Sequence, residues 1–244
     1  MNAPLNFSAR IPPLESGDRL TRDEFERRYH AMPAVKKAEL IEGEVVMASP
    51  VSWIGHASPH ARVVGWLLNY CAGTPGVDTG GNGTVRLDTD NEPQPDAALI
   101  VLPEYGGQIE LDADGFVSGA PDLVAEVAAS TSSIDRNRKF HVYRRNRVSE
   151  YLLWRVYDGA VDWFVFRAGE FVLLPPGDDG VIRSEVFPGL WLDVAALVRR
   201  DLVALLAVLT RGLASPEHTA FVARLQSAHK PAGDSATLNQ TPGS

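Results

Sequence analysis

Asp96 opens the apolar stretch "DAALIVL" and Glu126 interrupts the apolar stretch "LVAEVAA". Each is a carboxylate set against a run that reads as a buried strand. A carboxylate inside a strand core is costly unless it is paired. About thirty residues separate the two acids, a spacing that suits neighbouring strands joined by a loop. If the strands pair, the carboxylates meet at one end of the sheet. There they repel and one pKa rises, unless a cation stands between them. A hard divalent cation, Mg²⁺ or Mn²⁺, that keeps several waters needs one or two such oxygens. Lys139 lies in the next segment, "DRNRKFHVYRRNR", where it could orient a water, accept its proton or neutralise a scissile phosphate. The same segment carries Arg136, Arg138, Arg144, Arg145 and Arg147 and, from 136 to 147, no acid. In a chain of formal net charge −8 this is where a phosphate backbone would be expected.

Simpler readings stand beside these. Asp96 could cap a turn after Pro95. Glu126 could form a buried ion pair with an arginine such as Arg86. Lys139 could pair with Asp135 at i,i+4, and the basic run could be a solvated helix face. His56 and His60 could line the site, or have a structural or capping role. The tryptophans, Trp53, Trp66, Trp154, Trp163 and Trp191, read as core or interface, and Cys71 as buried and inert.

The elements that must hold these residues are legible in outline. "TRDE" at 21–24 reads as a capping box, Thr21 the N-cap and Glu24 at N3, ahead of a helix to about Ala31. "AELIEGEVVMAS" reads as two extended pieces bent at Gly43. "SPHARVVGWLLNYCAG" reads as a helix with Ser58 and Pro59 at its start, Gly73 at its end and a stripe of Val63, Val64, Leu67, Leu68 and Cys71. "TVRLD" reads as a strand, "NEPQPD" as no central strand, and 106–119 as a polar connection. A helix is expected over 133–146. Strands follow, with turns at Asp158-Gly159 and Ala168-Gly169. "LDVAALVRRDLVALLAVL" is read as one helix, with only a short weak helix after Ser215. This order predicts an α+β or α/β domain with a mixed sheet. The expected organisation is a lead-in over 1–20, the domain over 21–200, a helical extension over 201–228 and a disordered tail over 229–244.

With 244 residues, 45% of them hydrophobic, the chain can bury a core. The single cysteine excludes a disulfide framework or a cysteine metal cluster and fits a reducing compartment. "MNAPLNFSAR" has no apolar signal core, and "LVALLAVL" is too short to span a bilayer. A cytoplasmic protein without membrane contact is expected.

Four blocks, "AELIEGEVVMASP", "PQPDAALIV", "PDLVAEVAASTSSIDRNRKFHVYRRNRVSEYLLW" and "VFPGLWLDVAAL", resemble the Uma2 family over about residues 20–198. These are bacterial proteins classed as candidate endonucleases of the PD-(D/E)XK fold. The resemblance implies a restriction-endonuclease-like mixed central sheet flanked by helices. It makes Asp96 the acid of the "PD" motif and Glu126 that of "(D/E)XK". Ala128 stands where that motif has lysine, and Lys139 is the lysine displaced onto the next helix. Glu39 or Glu44 would be the additional glutamate many such nucleases carry. Where the family has a proline after the Glu strand, this chain has "ASTSS". The implied activity is Mg²⁺-dependent hydrolysis of DNA; cleaving both strands takes two sites, which a homodimer would supply. The alternative is a non-catalytic nucleic-acid- or protein-binding module on a decayed nuclease fold.

Overall fold

The computed structural model describes residues 11–47, 50–129 and 134–230, without the side chains of 134–136. Helix α1 (Arg22–His30) leads into a hairpin of β1 (Ala38–Ile41) and β2 (Glu44–Met47). A π-helical turn (Trp53–Ala57) runs into α2 (Ser58–Ala72). Then come β3 (Val77–Gly80), β4 (Val85–Arg86), β5 (Ala97–Val101), β6 (Glu110–Leu111), β7 (Val117–Ser118) and β8 (Leu123–Ala128). Helix α3 (Ile134–Arg145) joins β8 to β9 (Glu150–Arg155), followed by β10 (Ala160–Arg167) and β11 (Glu170–Leu173). The chain continues through β12 (Val181–Arg183), β13 (Trp191–Asp193), α4 (Val194–Arg199), α5 (Leu202–Leu213) and α6 (Pro216–Ala228).

Among the described residues the main sheet is six-stranded and mixed, ordered β11-β10-β9-β8-β5-β3. Within this sheet β8 and β9 alone pair in parallel; α3 is the crossover that such a pair needs. Strand β8 is covered on both faces, which explains its nearly unbroken apolar run. Leu123, Ala125 and Val127 enter the larger core with Val63, Trp66, Leu67 and Tyr70 of α2. Val124 and Ala128 face a second cluster with Tyr143, Tyr151 and Leu153. Side chains alternate along a strand, so Glu126 points to the second, α3-bearing side.

Several local expectations are corrected. Thr21 is the N-cap of α1, but its side chain makes no capping bond; Glu24 turns to Arg27 and Arg28 instead. The helix at 58 has no fresh start there, because the π turn runs straight into it and Ser52 caps that turn by accepting from the Gly55 amide. The buried face of α2 is Val63, Trp66, Leu67 and Tyr70, while Leu68 is exposed. "TVRLD" yields only the two-residue β4, and 106–119 contains β6 and β7. The helix read across 192–209 is broken at Arg200, which adopts the left-handed conformation, and Asp201 caps α5. The segment after Ser215 is a 13-residue helix, started by Ser215 accepting from the His218 amide. Leu205, Leu209, Phe221 and Leu225 of α5 and α6 sit in the larger core with the strands. The bend at Gly43 is a tight turn with Glu42 and Gly43 both at positive φ, and the turns at 158–159 and 168–169 are formed as read. No described helix is long and apolar enough to cross a membrane. The lead-in up to residue 10 and the tail from 231 fall outside the described residues.

Candidate active site

Strands β5 and β8 pair antiparallel with Ala97 opposite Ala125. This register brings Asp96, just before β5, beside the end of β8 that carries Glu126. Asp96 Oδ2 accepts from the Val127 amide at 2.8 Å. On the other side of β8, one turn of α3 presents Lys139 and Tyr143 together, since i and i+4 share a helix face. The Tyr143 hydroxyl donates to Glu126 Oε1 at 2.7 Å, and Lys139 Nζ lies 3.1 Å from the same oxygen. Lys139 Nζ is also 2.9 Å from Glu39 Oε1. Glu39 comes from β1, held in place by the Gln94 amide, which donates to its Oε1 at 2.6 Å. Glu39, Asp96 and Glu126 are all buried.

The two histidines complete the arrangement. His56 donates from Nδ1 to the Val127 carbonyl (2.9 Å) and sets Nε2 3.3 Å from Asp96 Oδ1. Both ring nitrogens therefore face acceptors, which favours the imidazolium. His60 donates to the Asp96 carbonyl at 2.6 Å. The π turn aims His56, and α2 carries His60.

The charges explain the protonation states. Burial pushes the Glu126 carboxyl up to about 7; Lys139 pulls it down, and the Asp96 and Glu39 charges push it up again. Burial acts against ionised Asp96 too, but the His56 bond, the Val127 amide and Lys139 outweigh it and hold the carboxyl below its ordinary value. Burial disfavours the Lys139 ammonium, yet Glu126 and Glu39 more than compensate and raise its pKa. The hydrogen bond that His56 donates to Asp96 raises the histidine's pKa against its burial. Three carboxylates thus face one lysine and one histidine.

Of the two glutamates the sequence left open, Glu39 joins the site. Glu44 instead pairs with Arg19 at 3.6 Å and with Arg138 at 3.3 Å. Arg138 also reaches Glu42 and donates to the Ile41 carbonyl, clamping the hairpin turn to α3. Arg144 pairs with Glu170 and Arg145 with Asp88. Arg147 is exposed, in the left-handed conformation after α3. The Arg136 side chain, and the Asp135 side chain of the i,i+4 reading, lie outside the described residues. Arg86 binds Glu26 and Asp112 and is not the partner of Glu126. Tyr143 and Gln94 were not singled out from the sequence. Tyr143 had a signal, its i+4 spacing from Lys139; the backbone donor at Gln94 had none.

Among the described residues no group of three or more His, Cys, Asp or Glu side chains is placed to hold a metal ion. The donor chemistry nevertheless fits a hard divalent cation. Asp96 and Glu126 offer carboxylate oxygens, and a Mg²⁺ that keeps its waters needs only one or two of these. Burial is the first cause that raises Glu126, and the Asp96 and Glu39 charges that add to it are what such an ion would neutralise.

The model of the Uma2 family, described as "Putative restriction endonuclease", matches residues 22–195. The chain belongs to the Uma2 family. A crystal structure described as a "putative nuclease belonging to DUF820", from Anabaena variabilis ATCC 29413, is similar over 70% of this chain and 97% of that one. The TM-score is 0.54 at 14% sequence identity, a likeness of fold. No curated protein matches. The mixed sheet flanked by helices is thus the fold of this Uma2 chain, and Asp96, Glu126 and Lys139 meet within it.

Proposed function

We propose that this Uma2 protein is a Mg²⁺- or Mn²⁺-dependent endonuclease that hydrolyses DNA phosphodiester bonds in the cytoplasm. The observation that carries the reading is Lys139 Nζ standing 3.1 Å from Glu126 Oε1 and 2.9 Å from Glu39 Oε1, although it comes from another element than the usual lysine. Asp96 and Glu126 would hold the cation. When bound, such an ion stabilises charge developing on the phosphate and makes water a better nucleophile at neutral pH.

The remaining work falls to side chains. Lys139, its pKa raised, stays an ammonium. It therefore serves as a fixed donor that orients the attacking water or binds the phosphate, and not as the proton acceptor. Tyr143 fixes Glu126, and His56 fixes Asp96 through Oδ1 while anchored on Val127. Glu39 also holds the ammonium and helps to keep it charged.

The test is nicking of supercoiled plasmid, paired with melting curves. Wild type should nick in Mg²⁺ or Mn²⁺, and the metal should raise its melting temperature, because a ligand of the folded state stabilises it. Asp96→Asn and Glu126→Gln should lose both effects while remaining folded. A full metal shift in both variants would rule out this site. Metal binding without cleavage on any substrate would favour the non-catalytic module.

A further inference from the structure

Beside the site, the turn that aims His56 leaves its other side chains in solvent. Trp53 is 76% exposed, Ile54 60% and Val51 62%. Tyr157, 63% exposed, comes from the end of β9 and donates its amide to the Ala129 carbonyl just past β8. Its ring closes on the turn so tightly that a Cβ at Gly55 would stand 2.7 Å from the hydroxyl. The turn with exposed Trp53 and Ile54, Val51 just before it and the Tyr157 ring packed on its Gly55 thus make a lip at the ends of β8 and β9, the end that carries Glu126 and the Asp96 anchor.

Arg200 braces this lip, and Arg62 of α2 stands beside Arg200, its Nε donating to the Arg200 carbonyl at 3.5 Å. Arg200 Nη2 donates to the Ile54 carbonyl at 2.9 Å, and Arg62 Nη1 to the Ser58 carbonyl at 3.0 Å. Among the described residues neither is ion-paired with a carboxylate, in contrast to Arg138, Arg144 and Arg145 of α3. Cations not already neutralised beside exposed aromatic rings are the composition of a single-strand binding track, where bases stack and phosphates meet basic groups. The lip is small for a protein partner. A stable interface needs about 800 Å² per side, and an aromatic side chain supplies about 150–250 Å².

We propose that Trp53 and Tyr157 stack unpaired bases of the DNA strand entering the site, with Arg62 and Arg200 contacting its phosphates, so that the preferred substrate is single-stranded or locally unpaired. This rests on the nuclease reading and names its substrate class.

The test measures binding alone. Anisotropy of a labelled DNA oligonucleotide, as single strand and as duplex, is followed with the full chain in EDTA. The wild type should bind the single strand more tightly than the duplex. Trp53→Ala should weaken single-strand binding by about tenfold or more, within the range seen for one lost stacking contact. Tyr157→Ala should also weaken it, Trp53→Phe should keep most of it, and duplex binding should change little. Equal single-strand affinity of wild type and Trp53→Ala would overturn the proposal. So would a wild type that binds no DNA or prefers duplex, or a Trp53→Ala change confined to self-association in sedimentation. Because no cleavage is read, failure here with plasmid nicking intact leaves the nuclease standing. Stacking without nicking would fail the nuclease alone.

Discussion

At Glu126 a hydroxyl and an ammonium meet one carboxylate oxygen, and this is why an acid survives in the middle of "LVAEVAA". A second buried acid is satisfied in a different way. Glu150 is wholly buried, but Ser184 and the amides of Glu185 and Val186 bond its two oxygens, which ties down a turn. Its neighbours are neutral donors, whereas Glu126 faces two further carboxylates. A third acid, Glu92, lies behind the Glu39 strand and makes a pH prediction. Burial pushes it up to about 8, aided by a bond to and the charge of Glu26, against the pull of Arg86 and Arg22. Its ordinary value is 4.5, so between about 4.5 and 8 the folded chain holds a proton that the unfolded chain has released. Stability from this group is therefore lost as pH rises through that window. Glu92→Gln should melt higher than wild type at pH 8.5, with the gap closing toward pH 4.5. Parallel melting curves across the window check this, and a constant gap would contradict it.

On the scale of elements, the hairpin, the turn before α2 and helix α3 each bring one part of the site to the β5–β8 junction. Helix α3 divides its charges by face. Lys139 turns inward to Glu126 and Glu39, Arg138 clamps the hairpin, and Arg144 and Arg145 bind acids of other segments. A DNA phosphate would have to displace those carboxylates. Arg144→Ala with Arg147→Ala should therefore flatten the salt dependence of DNA binding by about one phosphate contact, and not two. Affinity measured at several salt concentrations decides it; a loss of two contacts would mean that Glu170 gives up Arg144 to DNA.

Over the whole molecule, what was legible in the sequence followed from burial. The strands of Asp96 and Glu126 and the helix of Lys139 were readable because acids and bases stand out against apolar runs. The choice of Glu39 over Glu44 was not, since all four residues of β1 are buried and alternation carries no signal there. His56 could be suspected but not aimed, because no local pattern announced a π turn. The break at Arg200 was hidden because "ALVRRDLVALL" is helical in propensity on both sides, and Asp201 was not recognised as a new N-cap.

On the proposed mechanism Lys139 acts in the site without holding the cation. The most direct measurement of this role is the Mn²⁺-dependent nicking rate of Lys139→Ala beside wild type, with the metal-induced melting shift recorded on the same samples. The rate should fall by about 10²–10³-fold, the usual cost of losing a preorganised donor at a developing charge, with the metal shift retained. A Lys139→Ala protein that nicks at the wild-type rate would contradict this role.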